Sequence, residues 1–192
     1  MSKKVINQNT NYDLELLDSI ESNFIFDENP INRLKNTTKN LKKEIDADVI
    51  GKEKELIKLK LQINSIINCD LKDNSKEIVL GDGNVNSPIM LVGEAPGMEE
   101  DSTGLTFLGE VGDLLKKMLN AINIKKENIY STYAVNFRPP QDRKPTSKEI
   151  KRYSQFLQKQ ISIINPKLII LMGSTAMESL TGLNSKISIE RG

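Results

Sequence analysis

The sequence predicts an α/β fold: three α/β/α layers around a central, mostly parallel sheet, preceded by an N-terminal helical extension. Three observations carry this prediction. Short apolar runs alternate with helical patterns from about residue 77 onward, the order that builds a parallel sheet covered on both faces. The run Ile89-Met90-Leu91-Val92 goes straight into Gly93-Glu94-Ala95-Pro96-Gly97, and open α/β sheets bind their ligands at that carboxyl edge. A second junction of the same kind joins Leu168-Ile169-Ile170-Leu171-Met172 to Gly173-Ser174-Thr175-Ala176.

The elements follow in order. Tyr12, Leu14, Leu16, Leu17, Ile20 and Phe24 have helical spacing and predict a short amphipathic helix. Residues 27–50 are rich in Asn, Lys, Asp and Glu and read as a flexible linker. Residues 1–50 are therefore taken as helix and linker, and 51–192 as the α/β domain. Leu56, Ile57, Leu59, Leu61, Ile63, Ile66 and Ile67 predict a second helix of about 16 residues.

Ile78-Val79-Leu80 reads as a short strand closed by the turn signal Gly81-Asp82-Gly83-Asn84. Strand 89–92 and its Gly/Pro loop come next. Leu114, Leu115, Met118, Leu119 and Ile122 mark a helix, and Ile129–Val135 a strand that Arg138-Pro139-Pro140 breaks. Ser147 to Ile164 reads as a helix with Thr146 as its cap and Glu149 three residues on. Leu168–Met172 is expected to be a buried strand. Gly173 opens a helix that ends near Gly182, and Ile187 and Ile189 alternate as if starting another strand. An end within a strand leaves an unpaired edge, so a truncated product is expected.

Composition excludes several classes. A hydrophobic content of 38% with 28% charged residues fits a water-soluble protein. No stretch approaches the roughly 20 apolar residues that span a bilayer, and Met1-Ser2-Lys3-Lys4 lacks an apolar signal region. A cytoplasmic monomer without membrane contact is expected. A net charge of +1 argues against a wholly basic coat, though a local groove can still be positive. One cysteine excludes an intrachain disulfide and cannot hold a metal or cluster alone. The chain has no histidine, so the commonest general base and metal ligand is missing.

Four constellations could carry chemistry. The loop Gly93–Gly97 with Glu100-Asp101 would hold Glu94 rigidly at the sheet edge, although a capping turn with acidic residues near a helix start explains it equally. Phe107 offers a stacking wall for a planar base, or an ordinary core side chain. Asn136-Phe137-Arg138-Pro139-Pro140-Gln141-Asp142-Arg143-Lys144-Pro145 sets three cations among three prolines. It reads as a stiff solvated loop or as a clamp on phosphates. Gly173-Ser174-Thr175-Ala176 offers amides and a hydroxyl to a phosphate, and Ser174 serves equally as an N-cap.

Taken in order, these pieces resemble the uracil-DNA glycosylase superfamily, family 4 in particular. The match runs from about Cys69 to Gly192 and rests on GEAPG-x-x-ED-x-x-G-x-x-F-x-G, on RPP-x-x-R-x-P and on the glycine-led last helix. The resemblance implies a three-layer α/β/α fold and hydrolysis of the N-glycosidic bond of uracil in single- or double-stranded DNA. It makes Glu94 the catalytic and uracil-binding glutamate and Phe107 the ring that stacks on the flipped base. Ala95 and Pro96 shape the uracil pocket, and Glu100 is a second acidic residue beside it. Arg138, Arg143, Lys144 and Ser174 are the expected contacts to the DNA backbone.

Three departures from the family follow. Family 4 members hold a 4Fe-4S cluster on four cysteines, and those places here are Cys69, Lys72, Phe137 and Tyr153. The cluster is therefore expected to be absent, with Phe137 and Tyr153 packing near Leu71 in its stead. The family's asparagine, which reads the uracil edge, aligns with Tyr133, whose phenol donates and accepts with a different reach. The family's His-Pro motif is not found, so poor catalytic competence is expected of these 192 residues. A rival reading is a catalytically inactive member that binds DNA or a partner. An unrelated α/β phosphate or nucleotide binder ranks last, since the lack of Gly-Lys-Ser/Thr after a glycine loop argues against a P-loop.

Overall fold

The computed structural model describes residues 33–183 and 187–190, with side chains from residue 48 onward. The chain divides into two compact units, Met1–Lys42 and Lys43–Gly192. The first contributes only the opening turns of one helix to the described residues, and the helix expected over 12–24 lies outside them.

Helix α1 spans Arg33–Asn64, so residues 33–50 of the expected linker are helical. Lys, Glu and Leu are good helix formers, and no proline interrupts them. The short α2 (Asp70–Asp73) follows. The four strands are β1 (Asp82–Gly83), β2 (Ile89–Gly93), β3 (Tyr130–Tyr133) and β4 (Leu168–Leu171), in the spatial order β1-β3-β2-β4. β2 runs parallel to both β3 and β4, while β1 pairs antiparallel with β3. The sheet is thus mostly parallel. The remaining helices are α3 (Met98–Thr103), α4 (Gly109–Ala121), α5 (Ser147–Ile164), α6 (Ser174–Thr181) and α7 (Ile187–Glu190).

Alternation along the strands sorts the core into two layers. Met90, Val92 and Tyr130 face a layer with Leu56, Leu59 and Ile63 of α1, Tyr153, Phe156 and Leu157 of α5, and Ala176 of α6. Leu91 and Tyr133 face the other way, onto Phe107 and onto Leu115 and Leu119 of α4. The three-layer α/β/α architecture is the one the sequence predicted.

Several local expectations are corrected. Ile78-Val79-Leu80 is buried but is not a ladder strand. Asn136 clasps it instead: its carbonyl accepts from the Val79 N–H at 2.9 Å and its amide donates to the Val79 carbonyl at 3.1 Å. The expected turn at residues 81–84 holds the paired strand β1, and the turn itself moves on to Asn84–Ser87, where the Asn84 carbonyl accepts from the Ser87 N–H at 2.9 Å. β4 is an edge strand, with Leu168 53% and Ile170 38% exposed; an apolar run reads the same whether or not anything covers it. In α4, Leu115 and Leu119 are buried, whereas Val111, Leu114, Met118 and Ile122 are exposed. Residues 187–190 are helical, not a strand; two alternating isoleucines are too short a pattern to decide.

The cap of α5 forms as its sequence predicts. Glu149 accepts from the Thr146 N–H at 2.7 Å, and Thr146 Oγ1 accepts from the Glu149 N–H at 3.4 Å. Arg143 adds two charge-assisted bonds at 2.7 and 2.9 Å. The Arg143 guanidinium is the main cause that holds the Glu149 carboxyl down at about 2, from an ordinary 4.5. A carboxyl with a depressed folded value stabilises the fold above its unfolded value and stops doing so as pH falls through the folded one. Glu149→Gln should therefore cost about 1 kcal/mol at pH 7, the usual worth of a cap. That difference should fade between pH 4.5 and 2. Denaturant melts of both proteins across this range check it, and a constant difference would refute it.

Candidate active site

The strand β2 ends at Gly93, opposite Tyr133 in the parallel register. A Cβ on Gly93 would lie 2.7 Å from Tyr133 Cδ1 and 2.8 Å from Phe107 Cζ, so only glycine lets the two rings close over the strand end. Beyond it a cavity of about 480 Å³ opens, lined by Gly93, Glu94, Ala95, Gly97, Glu100, Phe107 and Tyr133 among others. Pro96 is buried beneath the loop and does not line it.

Glu94 stands at the mouth of the loop, and its Oε2 accepts from Thr175 Oγ1 at 2.7 Å. Thr175 lies one residue inside α6, where Gly173 takes a φ of +99°, a backbone conformation that favours glycine. The Glu94 carboxylate is thus steadied from the second strand-to-helix junction. The residue that does so is Thr175 and not the Ser174 singled out in the sequence, although both sit in the same motif.

Glu100 is buried and ties three segments together. Oε2 accepts from the Gly97 N–H at 3.1 Å, and Oε1 accepts from the Leu108 N–H at 2.9 Å and from the Tyr133 hydroxyl at 3.3 Å. Phe107 is 5% exposed, with a φ of +51°, an uncommon conformation for a bulky residue. Its surroundings over-determine it. Its N–H donates to Tyr133 Oη at 2.8 Å, and its carbonyl accepts from Lys126 Nζ at 3.4 Å. The preceding Thr106 donates its N–H at 3.0 Å and its hydroxyl at 2.6 Å to Asp82, and its carbonyl also accepts from Lys126. In the sequence Asp82 reads only as part of a glycine turn and Lys126 is not singled out, because only the fold brings them to the Phe107 turn.

Among the described residues, the ionisable side chains lining the cavity are Glu94, Glu99, Glu100, Glu110 and Tyr133, and none is a lysine or arginine. Burial pushes the Tyr133 hydroxyl well above its ordinary value, the main cause being loss of solvation. It remains a neutral donor at any working pH. Acidic walls favour positive charge in a ligand and disfavour negative charge leaving it.

The loop after β3 lies outside this cavity. Arg138 pairs with Asp142 through two bonds of 2.7 Å, and Arg143 pairs with Glu149. Lys144 has no ion pair among the described residues. The cations expected to meet phosphates are therefore mostly engaged within the protein.

The four positions corresponding to cluster ligands do not fit an iron–sulfur centre. Only one is a thiol, and its Sγ lies 3.1 Å from Tyr153 Oη in a buried contact. Phe137 meets Tyr153 edge-on at 6.2 Å, and Phe156 packs on the other side at 6.1 Å. Lys72 turns away to donate to the Asn64 and Ile66 carbonyls at the end of α1. Leu71, Cys69, Phe137 and Tyr153 share one apolar cluster.

A carboxylate and a buried aromatic ring thus stand together at the carboxyl edge of a mostly parallel sheet. Residues 80–190 match the Uracil DNA glycosylase superfamily, and the chain belongs to that family. It is 41% identical over 123 residues to the type-4 uracil-DNA glycosylase of Thermotoga maritima, covering 64% of each chain. Against the type-4 enzyme of Archaeoglobus fulgidus it is 37% identical over 122 residues, covering 64% of this chain and 61% of that one. Against that of Pyrobaculum aerophilum it is 34% identical over 129 residues, covering 67% and 66%. The chain thus spans somewhat under two thirds of the length of the first two relatives.

Proposed function

We propose that this protein is a DNA-repair glycosylase that hydrolyses the bond between uracil and deoxyribose in DNA, carried by the residues from 51 onward. The observation that carries the reading is Glu94, fixed by Thr175 beside a cavity that Phe107 also lines. A base must leave the stack before its glycosidic bond can be reached, and the Phe107 ring offers it a stacking surface. Water adds at C1′ as the C1′–N1 bond breaks, the bonding electron pair leaves with the base, and the proton shed by the water passes through solvent to the uracil anion. Glu94 orients that water and favours the positive charge that builds on the sugar. Ala95, Pro96 and Glu100 shape the pocket, and Arg138, Arg143, Lys144 and Ser174 are assigned to the DNA backbone. Among the described residues no lysine lines the cavity, and the proposed product is an abasic site formed without a Schiff-base step.

Slow turnover is part of the proposal. The departing base carries negative charge into a cavity whose charged side chains are all acidic. A second reading, a member that binds DNA without cutting it, is favoured by the same acidic lining. Among the described residues no helix is long and apolar enough to cross a membrane, and we assign the protein to the cytoplasm. The test is release of uracil from a single-stranded oligonucleotide under single-turnover conditions. Slow release above the protein-free rate supports the enzyme, and retention of the strand without release supports the binder.

The protein is further proposed to work without an iron–sulfur cluster, its place taken by the Cys69, Phe137 and Tyr153 packing. Protein purified without oxygen should contain no stoichiometric iron and show no thiolate charge-transfer band. Iron at four atoms per chain would refute this.

A further inference from the structure

The Tyr133 side chain spends its one donor hydrogen and one of its acceptor sites within the protein. Its hydroxyl donates to Glu100 and accepts from the Phe107 N–H, and its ring lies 4.9 Å from the Phe107 ring at 39°. A planar base inserted between two rings needs their centres roughly twice the usual stacking separation apart, and stacked rings already sit about 4.5–7 Å apart. No base enters between these two. The hydroxyl is also the group that satisfies the backbone amide of Phe107, a residue held at positive φ.

We infer that Tyr133 is a positioning residue, which sets the Phe107 ring and takes no part in recognising the edge of the base. The inference rests on the reading of Phe107 as the stacking surface. Without the hydroxyl, the Phe107 N–H is buried and unpaired, and the turn relaxes toward ordinary backbone at the expense of the ring's orientation. Edge recognition then falls to the backbone amides and carbonyls of the Gly93–Gly97 loop.

A double-mutant cycle tests this with Tyr133→Phe, Phe107→Ala and their combination. Affinity is measured for single-stranded oligonucleotides that carry either one uracil or one cytosine at the same place. Binding needs no turnover, and thermal midpoints of each variant show that it is folded. Phe107→Ala should weaken binding of the uracil strand by about 10- to 100-fold, the loss expected for one stacked base. Tyr133→Phe should weaken it about five- to tenfold, as for one lost hydrogen bond. The double variant should match Phe107→Ala alone. If Tyr133→Phe still changes the uracil-to-cytosine ratio when residue 107 is alanine, the hydroxyl reads the base and the inference is overturned. If the wild type holds both strands equally and Phe107→Ala changes neither, the stacking assignment falls and this inference with it. That outcome is separate from the first, in which stacking survives.

Discussion

Changing Glu94 to glutamine should slow uracil release by about 10²–10³-fold, the usual effect of removing one electrostatic contributor to a transition state. The amide keeps the shape of the carboxylate and its oxygen can still accept from Thr175 Oγ1, so the unfolding midpoint should hardly move. Only the negative charge beside the sugar is lost. Single-turnover release from single-stranded uracil DNA is the measurement, with the midpoint as control. Equal rates in both proteins would remove Glu94 from the chemistry. Thr175→Val should lie between the two, since it frees the carboxylate without neutralising it.

The largest effect on stability is expected at Tyr153. Its side chain is fully buried between Phe137 and Phe156, with its hydroxyl on Cys69 Sγ. Tyr153→Ala should cost about 3–5 kcal/mol, as large aromatic deletions in closed cores do. Tyr153→Phe removes only the hydroxyl and should cost about 1 kcal/mol. Urea unfolding of both variants separates packing from hydrogen bonding. A loss below about 1 kcal/mol for the alanine variant would mean that this cluster does not hold the domain together.

Much of this arrangement is legible in the sequence where the cause is local. Ile89–Val92 running into Gly93 fixes a strand and its loop, and Thr146 with Glu149 fixes a helix start. Their physics lies within a few residues. What escapes the sequence depends on distant partners. Asp82 looks like part of a glycine turn, yet it anchors Thr106, 24 positions away. Lys126 resembles any surface lysine until the fold brings it under the Phe107 turn. Exposure escapes for the same reason. Leu114 and Leu115 are neighbours in one apolar pattern, and only the packing of α4 decides that Leu115 is covered and Leu114 is not. The packing of Phe137 and Tyr153 near Leu71 follows only from the family resemblance, because nothing in their spacing brings them together, and the place of Cys69 on Tyr153 is seen only in the fold.

The ion pairs of the Arg-Pro-Pro loop change how a complex with DNA would form. If Arg138 and Arg143 meet phosphates as proposed, each either leaves Asp142 or Glu149 or shares its guanidinium with that carboxylate. Each phosphate so neutralised sheds its condensed cations, while each abandoned carboxylate gathers one from solution. The entropy that ordinarily drives protein onto a polyanion is thereby largely cancelled at these two residues. Contact becomes an exchange of partners within a balanced ledger of ions. On the proposed function, a loop built this way would gain little from indiscriminate contact with nucleic acid and would leave the decision to stay with the pocket.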